Sequence, residues 1–116
     1  MIEIEQIRNR FMQDDLSTRL GGLAADLMRV SSSARRPTGA KAVERMLEES
    51  QYFIEWTAAE LQPETGAALV NIQRLIALWR LAWPEAQHQP TQRTILSVSA
   101  KQWADEILNY SGLLEQ

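Results

Sequence analysis

The residue types that carry out most catalysis are scarce in this chain. Its 116 residues contain no cysteine and one histidine, His88, which lies in the proline-flanked stretch "PEAQHQP". Without cysteine there is no thiolate nucleophile, no disulfide and no cysteine-ligated metal. A histidine in such a loop lacks the rigid neighbour that a catalytic dyad requires, and the five glycines form no phosphate-binding loop. We therefore assign no catalytic residue, no metal ligand and no cofactor.

Three glutamates, Glu44, Glu48 and Glu55, share one face of a predicted helix. Facing carboxylates of this kind hold Mg²⁺ in the all-helical nucleotide pyrophosphohydrolases, whose motif pairs a Glu-Glu-x-x-Glu helix with a Glu-x-x-Asp helix. Here "EESQYFIE" places Tyr52 where the third glutamate belongs, and no Glu-x-x-Asp follows. The stripe also lies opposite the apolar side of its helix, as a solvated face does. A carboxylate–Mg²⁺ nucleotide hydrolase is therefore our third hypothesis.

The stretch "RVSSSARRPTGAK" is a candidate anion site, although the net charge of the chain is −3. It places Arg35 and Arg36 just before a predicted helix N-terminus, where free backbone amides favour negative charge. We add Arg74 as a possible third member, and an exposed polar loop is the alternative. The chain is acidic overall and has no basic face with interleaved aromatic residues, so we expect no nucleic-acid partner.

The stretch Asn71–Trp83, "NIQRLIALWRLAW", is apolar at nine of its thirteen positions. On a helical wheel those residues cover roughly 220° of arc, against about 100° for an ordinary surface helix. Such a helix is either central in the bundle or covered on one side by another copy of the chain. Arg74 lies inside the apolar arc, between Leu78 and Leu81. Its guanidinium must reach water, which we favour, or pair with a carboxylate such as Glu49, Glu55 or Glu60.

Aromatic residues supply the candidate partner surface. Tyr52 and Trp56 are one turn apart and lie off the apolar face of their helix. Either the bundle wraps around that side or the pair forms an exposed patch, since tyrosine and tryptophan are enriched at interface hot spots. We group them with Trp79 and Trp83 as the residues that would contact a partner.

Helical periodicity dominates, and we find no strand pattern. Ile4, Ile7 and Phe11 share one face, whereas Leu16 to Val30 present a different apolar face, so the first helical segment is predicted to break near residues 13–15 at an aspartate N-cap. Gly21 and Gly22 in its second part suggest a close backbone crossing. Later helices are expected at about 40–61, at about 64–83 closed by Pro84, and from Thr91 or Ser99 to about Tyr110, with Gly112 as C-cap. The prediction is one all-α domain, residues 1–116, a compact bundle of four main helices.

Three stretches, "DDLSTRLGGLAADLMRVSSSA", "MLEESQYFIEWTA" and "WADEILNYSGLL", resemble a family of short uncharacterised all-helical proteins of cyanobacteria. The resemblance implies a cytoplasmic bacterial protein and transfers no site residue. The longest apolar run, Leu75–Trp79, is too short to span a membrane, and the start "MIEIEQ" lacks the basic residues of a signal peptide. Our leading hypothesis is a non-enzymatic interaction module that forms a homodimer or binds another protein. An anion- or nucleotide-binding protein is the alternative.

Overall fold

The computed structural model describes residues 3–114, and side chains up to Gly112. It contains five α-helices and one 3₁₀ turn. They are α1 (Ile4–Met12), α2 (Leu16–Ala34), α3 (Ala40–Thr57), the turn Ala58–Glu60, α4 (Pro63–Ala86) and α5 (Pro90–Leu114). Residues 3–114 include no strand, so the all-α prediction is confirmed. The prediction of four helices is one short, because the N-terminal segment forms a helix of its own.

The break between α1 and α2 falls where the sequence predicted it. Asp15 adopts an extended backbone, and its carboxylate accepts a hydrogen bond from the backbone N–H of Thr18 at 2.8 Å. This N-cap starts α2 in a new direction and frees α1 to turn its apolar side toward α3. Phe11 is buried there and stacks on Phe53, with ring centroids 4.1 Å apart. Ile7 packs against the core, whereas Ile4 remains 40% exposed.

Helices α2 and α5 are antiparallel and are joined by two pairs of serines, which we call the serine clasps. In one clasp the hydroxyl of Ser31 donates to the carbonyl of Ser97, and the hydroxyl of Ser97 donates to the carbonyl of Ser31, both at 2.7 Å. In the other clasp Ser17 and Ser111 exchange the same bonds at 3.3 and 3.0 Å. A side chain that reaches the opposite backbone in this way requires the two helices to lie very close together.

The sequence spacing explains the close contact. Ala24 lies seven residues from both Ser17 and Ser31, and Ala104 lies midway between the two serines of α5, so the two alanines face each other between the clasps. Both alanines are fully buried. The crossing predicted at Gly21 and Gly22 is wrong, because a Cβ at either glycine would meet no atom within 4 Å. Small residues at every seventh position, not the glycine pair, permit the approach.

The predicted end of α4 before Pro84 and the predicted C-cap at Gly112 are wrong. Helix α4 continues through Pro84 to Ala86, and α5 runs past Gly112. Helix α5 begins at Pro90, one residue before the predicted start at Thr91, and has no restart at Ser99. A proline in the last turn of a helix removes only one backbone hydrogen bond. Three residues after Pro84, the amide of Gln87 still donates to the carbonyl of Trp83 at 3.0 Å. A proline at the first helical position, as in α5, is well tolerated.

The inward face of α4 completes the core against α3. Leu69, Ile72 and Ile76 are at most 2% exposed. Trp83 is also 2% exposed, and its indole N–H donates to the carbonyl of Ala40 at 3.0 Å. Its assignment to a partner surface is therefore wrong: the ring fills the core and its only polar group is already bonded. No helix within residues 3–114 has both the length and the apolar character needed to cross a membrane.

Candidate interaction surface

Helix α4 carries a second apolar face on the side away from the core. Val70, Leu78 and Leu81 are 50%, 54% and 80% exposed. At about 100° per residue, Arg74 and Glu85 lie on the same stripe as these three residues. We call these five residues the α4 stripe. The wide apolar arc predicted for this helix is therefore real, and nothing in residues 3–114 covers its outer half.

Arg74 lies in the middle of the α4 stripe and is exposed. Its guanidinium donates to the side-chain oxygen of Asn71 at 3.0 Å and has no carboxylate partner among the described residues. This agrees with the expectation that the charged end reaches water. Glu85, at the other end of the stripe, is likewise exposed and makes no ion pair within residues 3–114. The stripe thus presents one unpaired positive and one unpaired negative charge.

Tyr52 and Trp56 lie beside α1 and are both half-buried. Their rings stack at 5.5 Å, and Trp56 also contacts the rings of Phe11 at 5.9 Å and Phe53 at 6.0 Å. Trp56 packs against the core, but both rings are half-buried and line a groove with Ile4 and Ile7 of α1, so this side of α3 is only partly covered. Trp79 is half-buried against the core. No ring contact in the described part of the chain joins the α3 pair to Trp79, so the four aromatic residues are not one surface.

The three arginines proposed as an anion site are not brought together. Arg35 donates through Nε to the Ser97 hydroxyl at 2.7 Å, which ties it to a serine clasp. Arg36 makes a long contact of 3.4 Å with the hydroxyl of Ser33. Arg74 lies nine residues before the end of α4 that meets Ala40, which is about 14 Å along the helix axis. Arg35 and Arg36 are therefore exposed side chains of the basic segment, and Arg74 does not join them in an anion site.

Sequence reasoning missed the ion pair between Arg19, whose side chain is buried, and Glu60, whose side chain is 45% exposed. Arg19 is only 5% exposed and makes a two-pronged hydrogen bond to the carboxylate of Glu60, at 2.7 and 2.9 Å. Its Nε also donates to the carbonyl of Asp14. The hydrogen bond to Glu60 raises the pKa of Arg19, with burial opposing the shift. The pair holds the α1–α2 connection against the 3₁₀ turn. The sequence did contain a sign that Arg19 is buried. Arg19 follows Leu16 by three residues and precedes Leu23 by four, which places it on the apolar face of α2.

A second unforeseen feature is a buried carboxyl group, that of Asp26, beside the half-buried Glu49. Asp26 is 6% exposed; its Oδ1 accepts from Arg29, and its Oδ2 has no hydrogen-bond donor among the described residues. Burial, and then the neighbouring carboxyl of Glu49, raise the pKa of Asp26 to about 7. The pair borders a groove of about 600 Å³ between α1, α2 and α3. Such an arrangement can hold one proton between two carboxyl groups.

The glutamate stripe of α3 does not assemble into a metal site. Glu48 contacts Arg80 at 3.5 Å and is therefore paired within the molecule. In the part of the chain that the structure describes, no three side chains of histidine, aspartate or glutamate lie together as metal ligands would. The geometry gives the third hypothesis, a carboxylate–Mg²⁺ hydrolase, no support.

No protein family, characterised protein or solved structure was found to be similar to this chain. The resemblance to short cyanobacterial helical proteins stays a prediction. The functional argument must therefore rest on the geometry and the chemistry of the chain itself.

Proposed function

We propose that this protein is a non-enzymatic helical module that self-associates through the outer face of α4. One observation carries the proposal: α4 has two apolar faces, and within the described residues only the inner one is covered. An exposed leucine by itself is ordinary, but several exposed aliphatic side chains aligned along one helix are typical of an interaction surface.

The energetic argument favours a moderate affinity. Burying a large aliphatic side chain contributes about 1.5–3 kcal/mol, and a twofold contact buries Leu78 and Leu81 from both copies. Association opposes this gain with a loss of translational and rotational freedom of at least about 4 kcal/mol. A dimer in the micromolar range corresponds to about −8 kcal/mol, which a short helical contact can reach.

The test is the mass in solution, measured by sedimentation equilibrium over a range of concentrations. We expect the natural chain to be dimeric at tens of micromolar. Leu81→Gln should weaken the dimer by at least about tenfold, because two buried leucines are lost from each complex. Leu108→Gln is the matched control, since Leu108 is 49% exposed but lies on α5, and it should leave the mass unchanged.

A natural chain that remains a monomer at several hundred micromolar would refute self-association. Equal loss of the dimer in both leucine variants would refute the assignment to α4. The cytoplasm is the location we propose with this function. The cysteine-free composition supports that location.

A further inference from the structure

We infer that two copies of the chain pair through α4 in an antiparallel arrangement, with Leu78 facing Leu81 of the second copy and Arg74 facing Glu85 of the second copy. This rests on the self-association proposed above and adds its partner geometry. The second copy is the occupant because the α4 stripe is complementary to itself in both shape and charge.

The spacing of the stripe sets the register. Arg74, Leu78, Leu81 and Glu85 are separated by four, three and four residues, so at about 100° per residue they fall within about 60° of arc. This is the spacing of positions that meet along a coiled-coil seam. The four positions are also symmetric about the point between residues 79 and 80. A twofold axis through that point brings each leucine opposite the other leucine of the second copy, as an isologous contact requires.

The charges choose the direction. In a parallel pair Arg74 would face Arg74 of the second copy, and Glu85 would face Glu85 of the second copy, so both contacts would be repulsive. In the antiparallel pair each arginine meets a glutamate, and the two ion pairs flank the four leucines. Neither residue has an ion partner within residues 3–114. The pairing thus gives a partner to both unpaired charges of the stripe.

Neighbouring registers fail this requirement. Sliding one helix by seven residues in one direction places Arg74 opposite Leu78 of the second copy and Glu85 opposite Ala67. Sliding it the other way places Glu85 opposite Leu81 and Leu78 opposite His88. Both shifts set a charge against an apolar side chain and separate the leucines, which costs more than it gains.

The test uses two charge reversals and their mixture, with the dissociation constant measured by sedimentation. Arg74→Glu alone and Glu85→Arg alone each turn both ion pairs into like-charge contacts, and each should weaken the dimer roughly tenfold or more. An equimolar mixture of the two variants should form a heterodimer of natural strength, because each glutamate then meets an arginine. The double variant Arg74→Glu/Glu85→Arg should dimerise with itself, and Arg8→Glu, an exposed reversal on α1, should have no effect.

Each result separates this register from the wider proposal. If both single reversals dimerise normally while Leu81→Gln does not, α4 is the interface but the register is wrong. If the mixture fails to restore the dimer that both single variants lose, the direct pairing of these two residues is wrong. A natural chain that is monomeric at several hundred micromolar overturns both the register and the self-association. Circular dichroism and thermal melting confirm that each variant is folded, as expected for substitutions at exposed positions.

Discussion

The two longest helices of this protein differ in the contacts that they make. Helix α5 lies against α2 along the serine clasps, where serine hydroxyls bond to the opposite backbone and two alanines face each other, although its outer side leaves Ile95, Val98 and Leu108 45–49% exposed. Helix α4 covers the core with one side only and leaves leucines in water on the other, with Leu81 at 80% exposure. The contact between α2 and α5 is complete within a single chain, whereas the outer face of α4, which we propose for self-association, has no cover within residues 3–114.

The difference lies in side-chain size and in hydrogen-bond satisfaction. Along α2 and α5 the residues at every seventh position are small, so the backbones approach and no space is left for a further partner. Along the α4 stripe the residues are long, and its two charges have no ion partner within residues 3–114. The α2–α5 contact is fully formed within the chain and therefore stabilises the fold. The α4 stripe is apolar, charged and exposed, so it can bind a partner.

The largest effect expected is from filling the closed contact. Ala104→Leu places three further carbon atoms between α2 and α5, where Ala24 and the serine clasps leave no room. Overpacking of this kind destabilises by about 1–3 kcal/mol and can cost more at a close helix crossing, so we expect a loss of about 3 kcal/mol in the free energy of unfolding. Urea denaturation measures it.

Ala82→Leu is the matched control for this change, because Ala82 is an exposed residue of α4. It should alter the free energy of unfolding by less than about 0.5 kcal/mol. Equal losses in the two variants would mean that the α2–α5 contact has more free space than its geometry indicates, and that the comparison between the helices is misjudged.

The second prediction concerns the side of α2 that faces away from α5. Asp26 has a pKa raised from about 4 to about 7 by burial and by Glu49, with Arg29 opposing the shift. The folded chain therefore binds more protons than the unfolded chain in this interval. The stability from this group is fully present below about pH 4 and is lost as pH rises through about 7. Asp26→Asn should remove that slope and stabilise the protein at pH 8 by about 2 kcal/mol.

The measurement is the free energy of unfolding between pH 4 and pH 8 for both chains. The other charged groups that border the same groove are unchanged in the variant: Arg10 of α1, Asp14 of the α1–α2 connection, Arg29 of α2 and Glu49 of α3. Glu55→Gln, an exposed carboxylate of α3, controls for the general effect of removing a negative charge. A variant whose stability follows the natural pH profile would show that Asp26 is not the titrating group.

Patterns that depend on one helix at a time could be read from the sequence. The break at residues 13–15 followed from two apolar faces that no single helix could bury together, and the buried side of α3 followed from its periodicity. The wide apolar arc around Arg74 was likewise visible in the spacing. Each of these is a local property, because it depends on residues within a few turns of one another.

Features that depend on two distant segments could not be read in this way. Glu60 was considered as a partner of Arg74, yet it pairs with Arg19, because the 3₁₀ turn folds back against the start of α2. From its sequence position Trp83 was predicted to lie on the surface, but its indole N–H donates to the carbonyl of Ala40 at the start of α3. The carboxyl pair of Asp26 and Glu49 requires two helices in register. Such pairs depend on how distant helices pack together, and the packing cannot be deduced from the pattern of a single sequence.

A smaller effect is expected at the glycines of α2. A Cβ at Gly21 meets no atom within 4 Å, so alanine fits and lowers the conformational entropy of the unfolded chain. Gly21→Ala should therefore raise the free energy of unfolding by about 0.5–1 kcal/mol. Gly39→Ala should do the opposite, since its Cβ would lie 2.1 Å from the carbonyl oxygen of Ser33. If Gly21→Ala destabilised the protein, a neighbouring backbone would have to lie close to Gly21, as the sequence predicted and the structure does not show.

The smallest effect is expected at the centre of the α4 stripe. Arg74 is exposed and bonded only to Asn71, so its replacement leaves no buried charge without a partner. An exposed contact of this kind contributes less than about 1 kcal/mol, and Arg74→Leu should change the free energy of unfolding of the monomer by less than that amount. The measurement belongs at a protein concentration well below the dimer dissociation constant, where only intramolecular contacts count. A loss of several kcal/mol under those conditions would mean that Arg74 is part of the folded core. The outer face of α4 would then not be open, and the comparison between α4 and α5 would be wrong.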